Sequence, residues 1–290
     1  PLSTGSTFTI AGNTTGVISG GNSITLTGSL LGGSGNPWTL NNSMDPGAVL
    51  TLNRFASAET GSTARTLSVR GNGSTVFTGS LSNSATSVTG VDVRLSNEGS
   101  LVLGGIGGFT GGVALYQGVL TLNNPTTSGS ANVLGGTGST LTWGGGELRS
   151  NFAMTGTSAL SNPIALPAGE PAIVSGTSSI EWSGAVTPSA TRILQNELSG
   201  GAVLTLSGGL VLGGNVLSLA GSAASTVLSS AISGSSTLLF QGTGELALTG
   251  NNPFSGVLSV NRGVVSMAGT SGGTLKSAGT ILLGAGGTLL

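Results

Sequence analysis

The sequence predicts an all-β fold, a parallel β-helix (β-solenoid) of roughly 12–14 coils with essentially no helix, and three observations predict it. Apolar and small polar residues alternate with period two along most of the chain. Glycine makes up 54 of the 290 residues, yet aliphatic residues recur at regular spacing between the glycines. Finally, the stretch GSLVLGGIGGFTGGVALYQGVLTL, Gly99 to Leu122, returns without a gap as GELALTGNNPFSGVLSVNRGVVSM, Gly244 to Met267.

The alternation defines the strands in order. STFTI (Ser6–Ile10), SITLTG (Ser23–Gly28), AVLTLN (Ala48–Asn53), TLSVRG (Thr66–Gly71), SLVLGG (Ser100–Gly105), VLTLSG (Val203–Gly208) and ELALTG (Glu245–Gly250) each place Leu, Val or Ile on one face and Thr, Ser or Gly on the other. Gly, Asn and Pro between them supply turns. No window carries a capped helical period, and each Gly costs a helix about 1 kcal/mol.

Short strands with small residues between them fit either an antiparallel sandwich or a solenoid, and the repeat decides for the solenoid. Strands recur every ~8–12 residues, so ~20–25 residues make one coil, and stacking at ~4.8 Å gives a rod of roughly 60 Å. The offset of the long repeat is 244 − 99 = 145, half of 290, which predicts two modules, 1–145 and 146–290, the second continuous with the first. Upstream, Leu67 to Leu103 runs parallel to Leu217 to Leu248, with an offset that starts at 217 − 67 = 150 and relaxes to 145. The Phe of GGFTGG and NNPFSG is expected to fill a coil corner, the Gly two residues on lets the next strand start close beneath it, and Asn at the bend is expected to form ladders between coils.

Composition removes whole classes of function. Without Cys or His there are no disulfides, no thiolate sites and neither the commonest metal ligand nor the commonest general base. Eight basic and nine acidic residues, scattered singly for a net charge of −1, offer no stripe for nucleic acid and no polybasic membrane anchor. No apolar run approaches the ~20 residues that span a bilayer, and the first residues lack a signal-peptide pattern, so membrane insertion by this segment is not expected and any targeting sequence is expected outside it.

The LTGNNPFSGVLSVNRGVVSM stretch resembles the passenger-associated transport repeat of autotransporter-type surface proteins, roughly G-x-L-x-L-x-G-x-N-x-[FY]-x-G-x-x-x-V-x-x-G-x-L. Gly244, Leu246, Leu248, Gly250, Phe254, Gly256, Val260 and Gly263 match, with Asn251 and Asn252 in the Asn region. The earlier copy has Ile106 and Gly107 there but keeps Phe109, Gly111 and Gly118, and GGTL (Gly286–Leu289) and GGEL (Gly145–Leu148) fit the same style. The resemblance implies a right-handed parallel β-helix, the hand that parallel crossovers generally take. It also implies a location outside a Gram-negative-type bacterium, extracellular or on the cell surface. The transporter barrel of such proteins has no counterpart in the sequence, whose last residues are GAGGTLL.

Candidate chemistry is sparse. The nine carboxylates are Asp45, Glu59, Asp92, Glu98, Glu147, Glu170, Glu181, Glu197 and Glu245. Glycoside hydrolysis needs two of them ~5–9.5 Å apart, and their scatter points instead to solvated or paired turn residues. Asp92 and Arg94 share a face of VDVRL, within reach of Arg70 on a neighbouring coil, and read as an exposed ion pair. Lys276 stands without a nearby acid, which leaves no lyase cluster. Trp38, Trp143, Trp182 and Tyr116 read as corner fillers, with sugar stacking as the alternative. GGTGSTL (Gly135–Leu141) and GGSGNPW (Gly32–Trp38) lack the Asp of calcium repeats. Thr-x-Thr at Thr7–Thr9, Thr25–Thr27 and Thr140–Thr142 would suit ice binding only if it recurred in every coil.

These readings predict no catalytic, cofactor or metal site and a non-enzymatic structural role: an extracellular fibre, stalk or matrix that supports adhesion. A carbohydrate-binding or carbohydrate-active β-helix is the alternative and an ice-binding solenoid the third. The expected partner is the chain itself, since joining Leu290 to Pro1 gives GGTLLPLSTGSTFTI, comparable with the internal GGELRSNFAMTG. Continuation is expected either covalently or by head-to-tail stacking. Surface glycans are the second expected partner.

Overall fold

Alternation of this kind leaves a strand with one apolar face, which is stable only when that face is enclosed, and here the chain encloses it by coiling. The computed structural model describes residues 2–57, 64–82, 89–95, 99–125, 131–222, 224–267, 274–275 and 279–290. Among them the sole helical element is the 3-10 turn Gly156–Ser158. The pairings of the described strands are parallel, except for the short pair Ala131–Asn132 and Gly135–Gly136. The chain divides into two compact units, Pro1–Thr142 and Trp143–Leu290.

In the first unit one face is the stack Leu2–Thr4, Ile24–Gly32, Val49–Ser57, Ser74–Phe77, Ser100–Leu103 and Val119–Leu122, each strand lying on the next in register. Register aligns like with like, so Leu26, Leu52, Phe77, Leu103 and Leu122 form one buried column. A second face stacks Thr14–Gly20, Trp38–Met44, Arg65–Gly71, Thr89–Leu95 and Val113–Gln117. Its inward column is Leu40, Val69, Val93 and Leu115. A third face starts with Phe8–Ile10 against the later half of Ile24–Gly32, followed by the later half of Val49–Ser57 and then Leu81–Ser82.

The second unit is built the same way. Glu147–Ser150, Ala172–Gly176, Arg192–Leu198, Leu217–Gly221, Thr237–Phe240, Val257–Ser266 and Thr280–Leu289 form one stack. Ile180–Trp182, Val203–Leu206, Ser225–Leu228, Glu245–Leu248 and the later half of Val257–Ser266 form the next, and Ile164–Leu166, Val186–Pro188, Leu210–Val211 and Ile232–Ser233 the third. Each Leu or Val in such a column contributes roughly 1.5–3 kcal/mol by leaving water. The solenoid makes about 11 turns, fewer than the 12–14 coils that the strand spacing predicts. Several coils take 26 residues, as from Leu26 to Leu52 (52 − 26) and from Phe77 to Leu103 (103 − 77), more than the ~20–25 expected, so fewer fit the chain.

The repeated phrase is one repeated coil. Ser100 pairs with Val119 and Glu245 with Val264, a step of 19 residues in both cases (119 − 100 and 264 − 245). Both coils turn over a buried Phe, Phe109 and Phe254, and both re-enter the stack through a glycine in the left-handed region, Gly118 (φ 84) and Gly263 (φ 72). At Gly256, two residues after Phe254, a Cβ would lie 1.7 Å from the carbonyl oxygen of Ser236 on the coil before. The corner therefore admits only glycine, which is why the phrase recurs so closely.

The upstream repeat has its own cause. Asn42 is fully buried: its Nδ2 donates to Ser74 O (2.9 Å) and Thr75 Oγ1 (3.0 Å), and its Oδ1 accepts from Met44 N (3.1 Å). Asn196 repeats the arrangement, donating to Ser225 O and Thr226 Oγ1 (3.0 Å each) and accepting from Leu198 N (3.1 Å). Asn42 pairs in register with Gly71 and Asn196 with Gly221, both at positive φ. Each Asn thus fastens its own rung to the coil above, through backbone and hydroxyl groups. Asn252, at the bend where Asn ladders are expected, likewise donates to Gly250 O (2.9 Å) and accepts from Ile232 N (2.9 Å), bonds to backbone in place of a ladder between side chains.

Candidate functional site

On a solenoid the outward positions of each strand line up in columns, so any site must be assembled from residues in register or one step off it. The described carboxylates follow one rule: most accept a hydrogen bond from a serine on an adjacent coil. Ser68 donates to Asp92 Oδ2 (3.2 Å) and Ser207 to Glu181 Oε1 (2.7 Å). Ser175 donates to Glu147, Ser222 to Glu197 and Ser266 to Glu245. Among the described residues no hydrogen bond joins two carboxylates, and no three acidic side chains gather as a metal site. Glu59, Glu98 and Lys276 lie outside the described residues.

These bonds set the acid chemistry. Burial raises the Glu147 pKa, but Arg149, whose Nε lies 2.5 Å from Oε1, and the Ser175 hydroxyl outweigh it, leaving the carboxyl below its ordinary value. Glu197 is lowered by the Ser222 hydroxyl and by Gln195, whose Nε2 donates at 2.6 Å. A depressed carboxylate stabilises the fold above its unfolded pKa and loses that contribution as pH falls through the folded value. Thermal melts of the protein and of a Glu147→Gln/Glu197→Gln variant are therefore expected to differ at neutral pH, by less than about 1 kcal/mol per site because both groups are partly solvated, and to converge as pH falls from the ordinary glutamate value of about 4.3 through the lowered folded values.

The most chemically loaded surface lies on the second face of the first unit. Asp92 is in register with Ser68 and Ala114, and Arg94 with Arg70 and Gln117. Between Val93 and Arg94 the register slips by one residue, which makes Tyr116 the extra residue. Arg94 Nε lies 3.1 and 3.0 Å from the two oxygens of Asp92, forming the ion pair expected from the sequence, and its guanidinium carbon sits 4.0 Å from the centre of the Tyr116 ring. Arg70 is exposed beside them, and its side chain makes no hydrogen bond or ion pair among the described residues. Beside Asp92 a shallow depression of about 140 Å³ is lined by Thr66, Thr140 and Thr142 with the Gly111–Val113 backbone.

The other candidates do not assemble. Trp38, Trp143 and Trp182 are wholly buried and present no face to a sugar; Trp38 packs on Phe55 (5.5 Å) and Trp143 on Trp182 (5.8 Å). The outward column that begins Ser3, Thr25, Thr51 continues as Val76, Val102, Thr121, so the threonines form no continuous array on that face.

One buried charge escapes the sequence reading. Arg192 takes an inward position on its strand and is 2% exposed. Its Nη2 donates to Trp143 O (3.2 Å), while Nε and Nη1 have no partner among the described residues. Burial pulls its pKa down, against the attraction of Glu170. A guanidinium with unpaired donors costs free energy, so Arg192→Met, which keeps the unbranched stem, is expected to raise the unfolding midpoint by about 1–2 kcal/mol equivalent. Chemical denaturation measures it, and a lower midpoint would show that the Trp143 bond outweighs the burial cost.

No family model, curated protein or solved structure matches the chain. The geometry must carry the functional reading by itself.

Proposed function

We propose that this chain is a non-enzymatic structural solenoid, part of an extracellular fibre, stalk or matrix on a Gram-negative-type bacterial surface, where it supports adhesion in the manner of an autotransporter-type passenger. The observation that carries the reading is the in-register stacking itself, rung on rung of parallel backbone hydrogen bonds over apolar columns. The serine-tied carboxylates agree with it, since they are engaged in fastening adjacent coils. Leu2, Phe8 and Val17 around the first described rungs, and Leu282 and Leu283 on the last, are exposed apolar side chains that a further coil would cover. Another copy or more of the same chain would supply that coil.

Electron cryo-microscopy of the purified protein tests this. Filaments with a ~4.8 Å axial spacing are expected, the distance between stacked strands. Isolated short rods at every concentration would overturn self-stacking, and turnover of a polysaccharide by the same preparation would overturn the non-enzymatic reading.

A further inference from the structure

Two guanidiniums on adjacent rungs repel unless an anion lies between them. Arg70 and Arg94 are such a pair, in register on neighbouring strands, hence ~4.8 Å apart at the backbone. The carboxylate at hand, Asp92, is engaged by Arg94 through Nε, which leaves the two Nη nitrogens of Arg94 without a hydrogen bond among the described residues. The Arg70 side chain has no partner among them. Tyr116 beneath Arg94 holds that guanidinium in place by a cation–π contact at 4.0 Å. Two positive charges thus meet one negative charge on an exposed strand face, with free planar donors suited to a second carboxylate.

What lies beside the pair identifies the rest of the ligand. Asp92 itself lines the adjoining depression, together with Thr66, Thr140 and backbone glycines, and hydroxyls, peptide groups and a carboxylate all exchange hydrogen bonds with alcohols. A ligand that presents a carboxylate to the arginines and hydroxyls to the threonines is an acidic sugar. We propose that this face of the first unit binds the uronic-acid residues of a polysaccharide, with Arg70 and Arg94 sharing the carboxylate. The site stands whether or not the solenoid extends into a fibre. A chain of such residues would be held by several weak contacts in series.

The test is titration of the full chain with oligogalacturonate at low salt, and with its methyl ester as the uncharged control. The free acid is expected to bind, and the ester at least about tenfold more weakly, the size of one lost charged hydrogen bond. Arg70→Gln is expected to weaken the acid about tenfold as well, with an unchanged thermal midpoint because the native side chain has no internal partner. Arg54→Gln removes the same charge elsewhere, where Nε bonds Ser29 Oγ (2.8 Å), and is expected to leave binding unaltered. Equal affinity for acid and ester, no binding of the acid, or equal losses in the Arg70 and Arg54 variants would overturn the site. Equal competition by polyglutamate would overturn the sugar as its ligand.

Discussion

Trp182→Ala is expected to cost about 4 kcal/mol, among the largest losses a single side chain here can produce. The indole is wholly buried, pairs in register with Leu206, meets Leu160 across a single bridge and packs against Trp143 at 5.8 Å and 43°. Its removal leaves a void between rungs held on both sides by backbone ladders, and such ladders cannot collapse inward without breaking register. The size of the loss follows from that stiffness. Trp182 Nε1 has no hydrogen-bond partner among the described residues, so Trp182→Phe keeps most of the ring contact and removes an orphaned donor. That variant is expected within about 1 kcal/mol of the parent. Guanidinium unfolding of the three proteins decides it: comparable losses in the Phe and Ala variants would mean that the indole nitrogen, and not the volume, is what the rung requires.

The contrast between the two substitutions bears on what the sequence makes legible. Inward Leu and Val columns are readable because period two puts Leu246 and Leu248 on one side of a strand regardless of where the strand goes. The corner is readable because its glycines are forced: Gly118 and Gly263 take positive φ, and Gly256 has a carbonyl where its Cβ would be. Strand length is less so. Val49–Ser57 runs on past Asn53, where the alternation breaks, because the chain turns from one face to the next without leaving extended geometry. Its partner Ile24–Gly32 marks the same bend by a register slip between Leu26 and Ser29.

Polar residues that point inward are the least legible. Asn42, Asn196 and Arg192 carry no signal of their direction, since a polar residue in a period-two pattern reads as an outward one. The available clue was indirect: LSVRG…ST and LSLAG…ST recur at Leu67–Thr75 and Leu217–Thr226, and the recurrence of Gly, Ser and Thr is the imprint of the Asn that each set receives. The surface pair Asp92–Arg94 was readable from two-residue spacing alone, whereas the place of Tyr116 under Arg94 depends on a bulge that the sequence does not mark.

Those Asn residues give the second large effect. Asn196→Ala is expected to cost about 3 kcal/mol, because it leaves the Leu198 N–H, the Ser225 carbonyl and the Thr226 hydroxyl without the partners they have in a site 3% exposed. Asn42→Ala is expected to cost about the same in the first unit, where Met44 N, Ser74 O and Thr75 Oγ1 are left in the same way. Thr226→Val alone is expected to cost about 1 kcal/mol, and the double change Asn196→Ala/Thr226→Val less than the sum, since the second mutation removes a group the first had orphaned. Hydrogen exchange localises the damage. In a stack each coil answers mainly to its neighbours, so the Leu198 amide and the strands Arg192–Leu198 and Ser225–Leu228 are expected to lose protection first. Uniform loss along the whole unit would show instead that the coils unfold as one, and that a single clamp carries the cooperativity of all of them.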